Sequence, residues 1–157
     1  MHCSVVILVG IVSMVQSQGI ERCLNIVMLH QHCCAYAKSE LYETNSKECY
    51  KETQNPNSCD FDVCLAKKGG LFMSNGTFDK IALEELLEKD FENYTGVSDV
   101  LKEKCLNKDL DAYVQEDPCN LKELGNCLRF YIMSTCKNWD ESDECKKVKE
   151  DINKCQM

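Results

Sequence analysis

The sequence predicts an all-α fold of about five to seven helices, cross-linked by disulfides. Three observations predict it. Apolar residues recur mostly at steps of three and four, and no stretch sustains period-two alternation. Only Pro56 and Pro118 interrupt the chain. Finally, 13 cysteines stand among 157 residues, far more than a reducing compartment favours.

Met1 to Gln18 contains no Asp, Glu, Lys or Arg, and Val5 to Val12 forms an apolar block inside it. That block has the length of a signal-peptide hydrophobic region and falls short of the ~20 apolar residues of a membrane span. Residues 1–17 are therefore expected to be a signal peptide, cleaved after Ser17 or as late as Gly19. The chain is expected to be secreted and extracellular, with no membrane insertion. Cys3 leaves with the leader. What remains is Cys23, Cys33, Cys34, Cys49, Cys59, Cys64, Cys105, Cys119, Cys127, Cys136, Cys145 and Cys155.

In an oxidising compartment this even set reads as a disulfide framework. Structural zinc would need clustered Cys/His quartets. Cys59 and Cys64 have no second matched pair, and His30 and His32 are the histidines left, so no metal and no cofactor is expected. Six bridges would each contribute on the order of 2–4 kcal/mol, chiefly by restricting the unfolded chain. Staples of that strength relax the need for a dense core, so the interior can tolerate a hollow. The cysteines spread from Cys23 to Cys155 without any internal repeat, and 18–157 reads as a single helical domain.

The formal net charge is −8. Nucleic acid needs a basic patch, and an anionic membrane surface needs the same, so neither is an expected partner. Excess acid instead favours solubility at high concentration.

Taken in order, Cys23, Val27, His30, Cys34, Ala37 and Leu41 trace one face of a first helix. Asn55 to Ser58 is a turn, with Ser58 capping a helix through Cys59, Cys64 and Leu65 that Gly69-Gly70 stops. Ser74-Asn75-Gly76-Thr77 is a second tight turn. The helix after it should face Phe78, Ile81, Ala82, Leu86 and Phe91 inward, and Glu84, Glu85, Glu88 and Lys89 outward. Ser98 or Asp99 opens the next, carrying Val100, Leu101 and Cys105. Asp117-Pro118 starts another, with proline where its missing N–H is harmless, presenting Leu121, Leu124, Leu128, Tyr131 and Ile132. A last short helix begins between Asp140 and Asp143 and carries Cys145, Val148, Ile152 and Cys155.

The search for catalytic chemistry is negative. His30-Gln31-His32-Cys33-Cys34 is superficially similar to secreted phospholipases A2. Their chemistry needs an Asp beside the His and a glycine-rich calcium loop, and this sequence has Gln31 and no such loop. His30 reads as a helix residue near a cystine. No nucleophile elbow, phosphate-binding loop or His-Glu-x-x-His pair occurs. Glu84-Glu85 and Asp140-Glu141 fit a solvated face and a helix start. No catalytic residue and no enzymatic activity is expected. Asn75-Gly76-Thr77 and Asn93-Tyr94-Thr95 are glycosylation acceptors.

The stretch from Cys59-Asp-Phe-Asp-Val-Cys64 through Gly69-Gly70-Leu71-Phe72, Asn75-Gly76 and Phe78-Asp79 resembles insect odorant-binding proteins. Asp117-Pro118-Cys119, the forty residues between Cys64 and Cys105, and the eight between Cys127 and Cys136 are similar to that family as well. The double cysteine Cys33-Cys34 and the tail from Cys136 through Trp139 to Cys145 and Cys155 resemble its cysteine-expanded Plus-C branch. The chain departs from the pattern in two places. Four residues separate Cys59 from Cys64 where three are usual, and Lys137 replaces a usual proline.

The resemblance implies a compact disulfide-stapled bundle of about six to seven helices around an apolar cavity. It implies transport of a small hydrophobic ligand (an odorant, pheromone or other semiochemical) in olfaction, with a membrane chemoreceptor as a further partner and a monomeric or weakly dimeric state. The residues expected to line that pocket are Leu71, Phe72, Phe78, Phe91, Leu128, Tyr131 and Ile132, with Tyr94 or Tyr113 as hydroxyl partners. The resemblance implies ligand release in acid, for which carboxylates would be needed. Its interlocked bridges transfer as Cys34 or Cys33 to Cys64, Cys59 to Cys127 and Cys105 to Cys136, with a second register open in the tail. Two further readings remain: a lipophile carrier outside olfaction, and a stapled interaction or inhibitor protein with a filled core.

Overall fold

The computed structural model describes residues 22–36, 40–107, 117 and 119–155. The expected leader, Ala37, Tyr113 and Pro118 lie outside those residues, as does the side chain of Leu41. Among the described residues the backbone is helical and carries no strand beyond two isolated bridges, Cys34 with Trp139 and Phe72 with Phe78. The helices are α1 (22–29), α2 (Glu40–Thr53), α3 (Cys59–Lys68), α4 (Lys80–Asp90), α5 (Val97–Cys105), α6 (Asn120–Ser134) and α7 (Asp143–Asn153). A 3-10 turn, Gln31–Cys33, follows α1. The fold class is the expected one: all-α and stapled by disulfides.

The described residues form two compact units, one from 22–35 with 133–155 and one within 36–132. In the first unit, α7 is capped by Ser142, whose hydroxyl accepts from the Cys145 amide, and it buries Cys145, Val148 and Ile152. These three were expected on this helix; Cys155, expected with them, lies just past its end. The unit holds Cys23–Cys155, Cys33–Cys145 and Cys34–Cys136. Between the last two, the segment at 138–140 runs beside the double cysteine: Ala35 N–H donates to Asn138 and Asp140 N–H to Cys33, both at 2.9 Å.

That arrangement breaks the long first helix the sequence suggested. The helix ends at residue 29, His30 donates its amide to Ile26, and Cys34 is extended at φ −111°, ψ 117°. Side chains of neighbouring residues diverge by only about 100° on a helix but point oppositely on an extended chain. Cys33 and Cys34 reach different partners, Cys145 and Cys136, from a backbone that has left the helix. His30 accordingly lies just past α1 instead of on it.

In the second unit α2 packs on α3, and α4 on α5. Ser58 caps α3 as expected, accepting from the Phe61 amide at 3.2 Å. Gly70, at φ 72°, ends it: Leu71 N–H reaches Ala66 and Gly70 N–H reaches Lys67, the paired bonds of a glycine-terminated helix. Asp79 caps α4, so Phe78 sits before the helix and not on its stripe. Helix α4 consequently buries Leu83 and Leu87, and the expected inward Ile81 is 67 % exposed. Helix α5 begins at Val97, after Gly96 at φ 81°, one or two residues before the expected Ser98 or Asp99. Three disulfides, Cys49–Cys64, Cys59–Cys119 and Cys105–Cys127, join α2 to α3, α3 to the start of α6, and α5 to α6.

All twelve expected cysteines are cross-linked, with Cα separations from 5.0 to 6.0 Å. None of the three interlocked pairings implied by the resemblance forms. Cys64 meets Cys49, Cys59 meets Cys119, Cys127 meets Cys105, and Cys136 meets Cys34. The physical reason is packing. Cys64 lies on the helix that α2 covers, and α2 brings the buried Cys49 to it.

Candidate functional site

The apolar side chains expected to line a pocket lie, where described, in the second unit. Leu71, Phe72 and Phe78 come from the loop between α3 and α4. Its turn closes through Gly76, at φ 84°, donating to Met73, and through Met73 donating to Thr77 at 2.8 Å. Asp79 N–H then donates to Leu71. These bonds hold Phe72 opposite Phe78, ring centroids 5.8 Å apart and edge to face. Phe78 is fully buried, while Leu71 and Phe72 are half-buried.

Phe91 and Tyr94 form a second group. Phe91 terminates α4, its amide on Leu87, and a short turn carries the chain through Tyr94 to Gly96. Tyr36 stands edge-on to both, at 5.5 Å from Phe91 and 4.6 Å from Tyr94. Edge-to-face rings at such distances gain roughly 0.5–1.5 kcal/mol beyond their burial. Sequence reading missed Tyr36, because it stands in a non-helical segment where no periodicity marks it. Leu128, Tyr131 and Ile132 are half-buried on α6, and Tyr131 lies 5.3 Å from the buried Phe130.

A buried ion pair lies between α3 and α6. Arg129 donates from Nη2 to Asp62 Oδ1 at 2.5 Å, and its Nη1 reaches Asn126 at 3.3 Å. Asp62 is 6 % exposed. Burial pushes its carboxyl above the ordinary aspartate range, against the opposing pull of Arg129. Gly125 makes room for the pair: a Cβ there would stand 3.0 Å from both Asp62 Oδ1 and Arg129 Nη1. No spacing signal announces this contact, since 67 residues separate the partners.

The two glycosylation acceptors are exposed. Asn75 Oδ1 accepts from the Thr77 amide within the turn, whereas Asn93 contacts the neighbouring Glu92. Among the described residues no helix is long and apolar enough to cross a membrane. Compared with known proteins, the chain matches no family model, no curated protein and no solved structure.

Proposed function

We propose that this protein is a secreted carrier of small hydrophobic molecules, of the insect odorant-binding kind and its cysteine-expanded branch. The observation that carries the reading is the half-burial of Leu71, Phe72, Phe91, Tyr94, Leu128, Tyr131 and Ile132 within one disulfide-linked unit. Core leucines of the same unit, such as Leu83, Leu101 and Leu121, are sealed. Side chains that keep part of their apolar surface open can gain about 25 cal/mol per Å² by covering it with a guest. Tyrosine adds a hydroxyl that orients the guest. Semiochemicals in extracellular fluid are the expected cargo, in olfaction or in a non-olfactory secretion, with a membrane chemoreceptor downstream in the first case.

Displacement of a fluorescent apolar probe from the oxidised protein by a panel of lipophiles tests this. Micromolar displacement by at least one class is expected, and Phe91→Ala should weaken it about tenfold or more, the loss of one aromatic contact. Failure of every lipophile to displace the probe, or of the probe to bind at all, ends the carrier reading.

A further inference from the structure

The first unit sets two imidazoles close together and a carboxylate against one of them. His30 sits between α1 and the 3-10 turn, His32 within that turn, and Glu144 in the first turn of α7. The imidazole rings of His30 and His32 are 6.0 Å apart between centroids. A nitrogen of each ring and the Cys33 sulfur lie within 4.8 Å of one another. That sulfur is held by Cys145 and offers no thiolate. Glu144 supplies the third donor instead, its Oε1 3.1 Å from His30 Nδ1.

His30 Nδ1 is buried and makes no hydrogen bond, even though a carboxylate oxygen stands at contact distance. The oxygen therefore lies off the axis along which Nδ1 would donate. Two donors facing one cation show this relation. With each about 2.0–2.1 Å from the ion, at an angle near that of a tetrahedron, they stand roughly 3.3–3.4 Å apart, and neither points straight at the other. The His30–Glu144 separation, 3.1 Å, is a little shorter than such an edge and opens to it with a small side-chain shift. His32 is exposed and can swing the remaining distance.

We propose that His30, His32 and Glu144 bind a divalent transition cation of borderline softness, Zn2+ or Cu2+. Imidazole nitrogen suits both ions, and two histidines with one carboxylate leave a fourth position open to water or an exogenous ligand. The sequence reading looked for clustered Cys/His quartets and, finding His30 and His32 too few for one, expected no metal. The site rests on residues of the first unit alone and stands whether or not the second unit carries a lipophile.

The test is zinc titration of the oxidised full chain by calorimetry, with the histidine ring resonances followed in parallel. One ion per chain is expected, shifting the rings of His30 and His32. His32→Gln and Glu144→Gln, both at exposed positions, should each weaken binding by at least about tenfold while leaving the fold intact by circular dichroism. A His2→Gln, Cys3→Ser variant and Glu85→Gln should bind as the parent does. Absence of binding in large zinc excess overturns the proposal. So does binding that His32→Gln leaves unchanged, or that the His2/Cys3 variant abolishes.

Discussion

Asp62 and Arg129 place a charge pair in the interior of the second unit, where ionisation of the acid is costly. Removing one member of such a pair strands the other. Arg129→Met is expected to cost about 3–5 kcal/mol at neutral pH, read from denaturant unfolding. The sign of the pH dependence follows from the direction of the shift. The folded pKa of Asp62 is raised above its unfolded value, so its favourable contribution is complete below the unfolded pKa and is lost as pH rises through the folded one. The deficit of Arg129→Met should therefore shrink in acid, as the stranded carboxylate takes up a proton. Asp62→Asn should remove this part of the pH dependence altogether. Glu48 behaves oppositely: its hydrogen bond from Lys68 lowers its pKa, and that contribution fades as pH falls. A deficit for Arg129→Met that stays constant from about pH 7 to 4 would refute the account of Asp62. If acid does release a bound lipophile, Asp62 is the buried carboxyl to test, and Asp62→Asn should blunt the release.

At the scale of single elements, the caps were legible. Ser58 and Gly69-Gly70 bound α3 as read, the Asn75-Gly76 turn forms, and Ser142 opens α7 within the expected window. These signals work because a side-chain oxygen or a glycine acts on backbone groups only a few residues away. Ser58→Ala and Ser142→Ala should each lower stability by about 1 kcal/mol in thermal or denaturant unfolding. The inward face of α4 was not legible. Counting Phe78 into the helical stripe turned the expected face toward Ile81, whereas the Asp79 cap begins the helix later and buries Leu83 and Leu87. The corrected face makes a paired prediction. Leu83→Ala should cost about 2–5 kcal/mol, and Ile81→Lys should stay within about 0.5 kcal/mol of the parent. Equal losses at the two positions would restore the original phase.

For the molecule as a whole, the bridge network places three cross-links in each compact unit. Cys49–Cys64 closes 15 residues, and replacing both cysteines by alanine should cost about 3 kcal/mol. Peptide mapping of the oxidised protein should find the Cys33-Cys34 peptide linked to both Cys136 and Cys145. A Cys64 bond to Cys33 or Cys34 would instead return the interlocked pattern of the family the sequence resembles. Of the expected pocket, the structure brings Phe72 to Phe78 and Phe91 to Tyr94. Their apolar character was readable, but the degree to which each is sealed was not, because exposure depends on neighbours far along the chain.

Helix class, the caps of α3 and α7 and the engagement of twelve cysteines in cross-links are determined by the sequence alone, since periodicity, caps and cysteine parity act locally or by composition. Which sulfur meets which, which face of α4 turns inward, and that Asp62 finds Arg129 and His30 finds Glu144 are decided only by tertiary packing. A disulfide needs Cα atoms about 4.4–6.8 Å apart, and the Asp62–Arg129 and His30–Glu144 contacts need closer approach still. Distances of that order between residues 15 to 132 positions apart are set by how the helices lie against one another, which no short-range signal encodes.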